Sequence, residues 1–278
     1  MNIKKNHPLV SILIPYYNHN KFIGHTLNSI LDDTYPNKEI LIINDGSTEK
    51  DSTNLDLWIE EHKDTINIRY KKRENKGLTK TINELLKMSS GKYIVLCASD
   101  DYLINNTIAQ RVNILEKNDK KLITISDNIV IDDDGNKLYN SNLFELRNND
   151  KERYLTDNGL KYVIIKRWSF AGPSWLANRE LFDKIGYFDE KLAVEDWDFF
   201  LRFSAQNLAI FYDQQVSAYR LHNNNSCRSE HYKILSLENE AYSAKKNYKL
   251  FSFPYNIMLL LKYFKIMKRL KKLKKSYE

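Results

Sequence analysis

The order of apolar and polar positions along the chain sets out alternating strands and helices. Val10–Pro15 runs apolar almost without a break, the pattern of a strand buried on both faces. Phe22, Ile23, Leu27, Ile30 and Leu31 then recur at helical spacing. Glu39–Ile43 predicts a second strand, ending at Asn44-Asp45-Gly46-Ser47, followed by a helix over 51–62 and a strand over Ile66–Tyr70. Leu78–Met88 is helical and Gly91 stops it. Tyr93–Cys97 predicts a fourth strand, ending at Ser99-Asp100-Asp101. A helix over Ile104–Glu116 and a strand over Leu122–Ile131 lead into the turn Asp133-Asp134-Gly135-Asn136. Residues 140–178 show no clear period and are polar near 147–158. Helices are predicted near Arg179–Ile185, over Trp197–Ala205 and from about His231. The loop Asn223-Asn224-Asn225-Ser226 divides a body, 1–225, from a helical extension, 226–278.

Repeated strand–helix–strand units imply a mostly parallel α/β sheet with right-handed crossovers. Such sheets bind ligands beyond the carboxyl ends of their strands. Polar clusters follow the first, second and fourth strands here: Tyr16-Tyr17-Asn18, Asp45-Gly46-Ser47 and Asp100-Asp101. Three clusters at one edge of one sheet predict a single site.

Composition narrows the class. With 42% hydrophobic and 28% charged residues over 278 positions, the chain has material for a real core. Its two cysteines, Cys97 and Cys227, form neither a disulfide framework nor a metal cluster by spacing, which favours a reduced, cytoplasmic setting. No apolar segment reaches the ~18 residues of a spanning helix. The formal charge of +7 is unevenly placed: from Lys249 onward nine Lys/Arg face one acid, Glu278, so the tail carries +8 and the rest −1. A near-neutral body argues against nucleic acid as a partner. Drawn as one helix, 256–275 gathers Leu259, Leu260, Tyr263, Ile266, Met267, Leu270 and Leu273 on one face, and Lys262, Lys265, Lys268, Arg269, Lys272 and Lys275 on the other. Such a helix suits an anionic membrane surface, here the inner face of a cell membrane; the alternative is a helix docked on the body.

Candidate chemistry follows the strand ends. Asp100-Asp101 offers hard oxygen ligands for Mg²⁺ or Mn²⁺, or the N-cap of the next helix. Asp45 reads as an acceptor for a base or ribose, or as an ordinary Asx turn. Tyr17 offers a ring for stacking, or simply packs. In Glu195-Asp196-Trp197-Asp198, a carboxylate at a helix start serves as a general base or as a cap. His222 completes a metal site or is structural.

The order of these motifs carries more than any one of them. Val10-Ser11-Ile12-Leu13-Ile14-Pro15-Tyr16-Tyr17-Asn18, Ile42-Ile43-Asn44-Asp45-Gly46-Ser47-Thr48, Asn75-Lys76-Gly77-Leu78, Gly91-Lys92-Tyr93-Ile94, Ala98-Ser99-Asp100-Asp101-Tyr102-Leu103, Ile185-Gly186-Tyr187-Phe188-Asp189-Glu190 and Glu195-Asp196-Trp197-Asp198 with Arg202 follow in sequence. Over roughly residues 8–225 this resembles the family-2 inverting glycosyltransferases of the GT-A fold. The resemblance implies a nucleotide-sugar donor, with UDP the habitual nucleotide, and a glycan or lipid-linked glycan acceptor in surface polysaccharide synthesis. It implies that Pro15 and Tyr17 line the base pocket, Asp45 bonds the base, and Asn75 and Gly77 lie along the nucleotide. It makes Asp101 a metal ligand, Asp100 a bridge between ion and ribose, His222 a metal or pyrophosphate contact, and Asp196 the catalytic base. Trp197, Trp175 and Glu195 are the expected acceptor contacts, in an aromatic stretch that also holds Trp168 and Phe170. Two positions depart from the family pattern: Ala98 replaces an Asp, and Ile82 stands where Arg is common. A nucleotide-sugar-binding protein without transfer activity is the alternative that Ala98 favours.

Overall fold

In a computed structural model, residues 7–222 and 230–275 are described. Nine strands among them form one sheet: β1 (Val10–Tyr16), β2 (Lys38–Asp45), β3 (Asn67–Arg73), β4 (Tyr93–Leu96), β5 (Tyr102–Leu103), β6 (Ile123–Ile131), β7 (Lys137–Tyr139), β8 (Trp175–Asn178) and β9 (Ala209–Arg220). The order is β3-β2-β1-β4-β8-β6-β9-β5, with β7 paired to β6. The parallel sheet expected from the strand–helix alternation occupies β3-β2-β1-β4. Beyond β4 the sheet is mixed, because β8 enters antiparallel to both β4 and β6.

The helices are α1 (Ile23–Asp32), α2 (Thr53–His62), α3 (Leu78–Met88), α4 (Thr107–Glu116), α5 (Asp157–Lys166), α6 (Glu180–Ile185), α7 (Asp196–Ala205), α8 (Glu230–Asn247) and α9 (Tyr255–Lys275). Strands β1 and β2 have apolar centres, Ile12–Ile14 and Ile40–Ile43, because both faces are covered. Leu13, Leu41 and Ile43 join one buried cluster, whereas Ile12, Ile14, Ile40 and Ile42 join the other. Edge strand β3 ends in Tyr70-Lys71-Lys72-Arg73, a charged edge that resists pairing with a second chain.

Two stretches differ from the sequence pattern. Helix α4 starts three residues later than the pattern predicts, because Tyr102 and Leu103 pair with Ala218 and Ser217 of β9. Helix α5 lies inside the stretch without a clear period. Leu160, Val163 and Ile164 supply the i, i+3, i+4 spacing, and Thr156 caps the helix by accepting the Gly159 N–H at 3.1 Å. The polar run before it obscures this start. The boundary loop at 223–226 lies outside the described residues.

Helix α9 corrects the reading of the tail. Leu259, Ile266 and Leu270 of the expected lipid-facing side are buried in the core of the body, with Met258, Tyr263 and Leu273 packed around them. The outward side is apolar in its first half, where Phe253, Ile257, Leu261 and Phe264 are exposed, and basic in its second, at Lys268, Lys271, Lys272 and Lys275.

The loop after β2 needs glycine. Gly46 has φ +84°, and a Cβ there would meet the Asn75 backbone nitrogen at 2.7 Å. Gly24, in contrast, faces open space within α1. Gly46→Ala is expected to lower stability in urea unfolding by about 1–3 kcal/mol, and Gly24→Ala to raise it by about 0.5–1 kcal/mol. Equal effects at the two sites would contradict this account of the turn.

Candidate active site

The carboxyl ends of β1, β2 and β4 open into a cavity of about 450 Å³. Pro15, Tyr17, Asp45, Asn75, Gly77, Asp100 and Asp101 all line it, so the structure gathers the six expected donor contacts and Asp101 at one place. A second cavity of about 160 Å³ shares Pro15, Leu78, Ala98 and Gly172 with the first and contains Glu195, Asp196 and Trp175. The two are contiguous halves of one cleft.

Asp45 is buried and already engaged. It accepts the Lys76 N–H at 2.8 Å and the Gly77 N–H at 2.9 Å, and it pairs with Arg73. Its carboxylate therefore shapes the Asn75–Gly77 loop from below. Arg73, which the sequence reading overlooks, is itself held by Glu84 at 3.0 Å and Thr81 at 2.9 Å.

The adjacent aspartates point into different surroundings. Asp100 accepts from His222 Nε2 at 3.0 Å, and His19 Nδ1 lies 3.9 Å from its other oxygen. Among the described residues, His19, Asp100 and His222 are the group whose ligand atoms all lie within 4.8 Å of one another. Burial pushes the Asp100 carboxyl up, but the His222 hydrogen bond and the two imidazoles hold it below the ordinary range. Burial also keeps His19 less basic than a free imidazole, which suits a neutral ligand.

Asp101 does not join this group. It is buried, and its Oδ1 accepts the Arg220 N–H at 2.8 Å. Gly172 closes over Oδ2, where a Cβ would come within 2.7 Å. Burial first, and then the Asp100 charge, raises its pKa well above the carboxylate range. Asp101, expected as a metal ligand, is thus turned to the Arg220 N–H, while His19 joins Asp100 and His222 as a further candidate ligand. A signal for His19 existed: an imidazole directly after the Tyr16-Tyr17-Asn18 cluster. Tyr232 of α8 also lines the donor cavity, and nothing in its local sequence marks it.

In the second cavity, Glu195 and Asp196 sit at the start of α7. Burial raises both: Asp196, which accepts the Trp197 N–H at 2.7 Å, to about 6, and Glu195, facing the Asp196 charge, to about 8. Trp168, Phe170, Trp175, Phe199 and Phe200 complete the walls. Trp197 is a correction. Residues adjacent in a helix do not share a face, and its ring is buried away from this cavity, with Nε1 donating to the Ile164 carbonyl at 2.8 Å. Asp198 and Arg202 bond each other at 2.9 Å and lock α7 in place, with Asn247 of α8 donating to Asp198 at 2.7 Å.

Comparison with known proteins agrees with this layout. The model of glycosyl transferase family 2 matches residues 11–186. Relatives described as uncharacterized glycosyltransferases from Rickettsia bellii and Rickettsia prowazekii are 30% and 33% identical over 212 residues, 76% and 75% of this chain. The chain spans only 29% and 62% of their respective lengths. The Escherichia coli UDP-Glc:alpha-D-GlcNAc-diphosphoundecaprenol beta-1,3-glucosyltransferase WfaP is 37% identical over 110 residues, 39% of this chain and 41% of its own length. The mannosyltransferase PcManGT from Pyrobaculum calidifontis, solved with GDP-Man and Mn²⁺, superposes with a TM-score of 0.67 at 18% identity, covering 94% of this chain and 70% of that one. This likeness establishes the GT-A fold. On the match over residues 11–186 and the layout of the cleft, the chain belongs to glycosyl transferase family 2.

Proposed function

We propose that this chain is an inverting glycosyltransferase that moves a sugar from a nucleotide-sugar, UDP-linked by preference, to a hydroxyl of a glycan or lipid-linked glycan in surface polysaccharide synthesis. One observation carries this reading: the cavity lined by Pro15, Tyr17, Asp45, Asn75, Gly77 and Asp100 runs directly into the cavity holding Asp196. A donor seated in the first presents its sugar to a carboxylate in the second.

An acceptor hydroxyl is a poor nucleophile until its proton is removed. With its pKa near 6, Asp196 is ionised at neutral pH yet basic enough to take that proton. Glu195, lifted to about 8, keeps its own proton and leaves the negative charge on Asp196. Attack from the Asp196 side, opposite the nucleotide, inverts the anomeric centre in one displacement. Trp168, Phe170 and Trp175 offer flat apolar faces for the sugar ring and exclude water. Asp100, His222 and His19 fit a divalent cation, and two imidazoles with one carboxylate suit Mn²⁺ better than Mg²⁺. Bound there, the ion supplies positive charge to the departing diphosphate.

The outward side of α9 supports a membrane-surface setting at the inner face. Phe253, Ile257, Leu261 and Phe264 are 79, 47, 53 and 58% exposed, and the lysines that follow them on the same side match anionic lipid.

Asp196→Asn is expected to retain donor binding by calorimetry while transfer to acceptor falls at least about 100-fold. In the wild type, kcat/KM falls about tenfold per pH unit below pH 6, because protonation removes the base. Near-wild-type transfer by the variant would remove Asp196 as base, and donor binding without any nucleotide release would favour a binding protein. Leu261→Ser with Phe264→Ser is expected to abolish co-sedimentation with phosphatidylglycerol vesicles; unchanged binding would overturn the role of this face. Point substitutions are required here, because removing α9 strips Leu259, Ile266 and Leu270 from the core.

A further inference from the structure

A second basic feature lies on the other flank of α7. Lys262 of α9 places its ammonium 4.2 Å from the centre of the Trp197 ring. It is half-buried and makes no ion pair within 4 Å among the described residues; burial pushes its pKa down to about 8 against the attraction of Glu240. Partial burial of an ammonium costs free energy that a cation–π contact offsets in part and a bound anion would offset further. Lys262 opens on a cavity of about 340 Å³. Lys166 at the end of α5 and Lys265 and Arg269 of α9 line the same cavity, and Glu240 of α8 is its one carboxylate among the described residues. None of these three further cations has an ion-pair partner among the described residues. Four cations around one acid give this cavity a net positive charge, with Lys166, Lys265 and Arg269 exposed at its mouth.

Position gives this cavity a direction. Lys262 meets the Trp197 ring, which is turned away from the cleft onto the Ile164 carbonyl, so the cavity lies on the flank of α7 behind its start. On α9, exposed Leu261 stands one turn before Lys265, at i, i+4, and exposed Phe264 lies at i+3 from Leu261. An anionic group in the cavity therefore has an apolar track beside it on one helix and the carboxylate pair beyond α7.

We propose that the cavity between α5, α8 and α9 binds the phosphate groups of a diphosphate-linked lipid, with Lys262, Lys166, Lys265 and Arg269 as the phosphate contacts and Leu261 and Phe264 along the lipid chain. Lysine and arginine together suit a diphosphate, which spreads its charge over several oxygens. That this lipid is the acceptor rests on the transferase reading; the phosphate site itself does not.

The test is vesicle co-sedimentation of the full chain in EDTA, so that no metal brings diphosphate to the donor cavity. One set of phosphatidylcholine vesicles carries geranylgeranyl diphosphate; the other carries phosphatidylglycerol at matched surface charge. The wild type is expected to bind the diphosphate vesicles at least about tenfold more tightly. Lys262→Met keeps the aliphatic stem over Trp197 and removes the charge. Lys166→Gln changes an exposed residue and leaves the core untouched. Each variant is expected to lose most of the diphosphate preference while binding phosphatidylglycerol as before. A preference retained by both variants, or absent from the wild type, would overturn the site. Inorganic pyrophosphate binding as tightly as the membrane-borne diphosphate would overturn the lipid as its source. Nucleotide release by the same samples with Mn²⁺ separates the two proposals: its failure beside an intact vesicle preference sinks the transferase and leaves the phosphate site.

Discussion

The active cleft depends on the clasp between Asp101 and Arg220. Arg220 ends β9 and is buried. Its backbone N–H bonds Asp101 at 2.8 Å, and its side chain bonds the Asp100 carbonyl at 2.8 Å and the Asp132 carbonyl at 3.0 Å. Its guanidinium also stacks on Phe22, 4.8 Å from the ring centre. One residue thus ties the end of β4 to β9, to the β6–β7 turn and to the segment leading into α1. Two residues later, His222 is delivered to Asp100. The paired aspartates divide their labour accordingly. One is buried and holds the frame; the other faces the cleft with two imidazoles.

The same economy recurs at α7. Glu195 and Asp196 at its start line the cleft, while Trp197, Asp198 and Arg202 fix the helix to α5, α8 and the chain after α6. Helix α9 packs on α8 and α5, with Leu259, Ile266 and Leu270 in the core, and its outward side remains apolar and basic. The charge that makes the chain basic is therefore placed on an element that touches the body on one side and faces outward on the other.

Much of this was legible in the residues. Strands β1 and β2 announce themselves because burial on both faces demands unbroken apolar runs. The polar clusters at their ends mark the cleft, since parallel strands must point their carboxyl ends the same way. The division between Asp100 and Asp101 was not legible. It is set by Arg220, 119 residues away, and no local period encodes that arrival. Trp197 illustrates a limit of composition: an aromatic beside a candidate base suggests a sugar platform, yet adjacent helix positions diverge by about 100°. For the tail, periodicity correctly gives an amphipathic helix. It does not say which apolar side is spent on the body, because both sides carry leucine and phenylalanine or isoleucine.

The central claim is that Asp101 holds the frame, so that a divalent ion would be held by Asp100, His222 and His19. Anomalous diffraction at the manganese edge, from crystals grown with Mn²⁺ and UDP, tests it most directly. The account predicts a peak bonded to Asp100 and His222, with His19 beside it and Asp101 still accepting the Arg220 N–H. A peak bonded to Asp101, with that hydrogen bond broken, would contradict it.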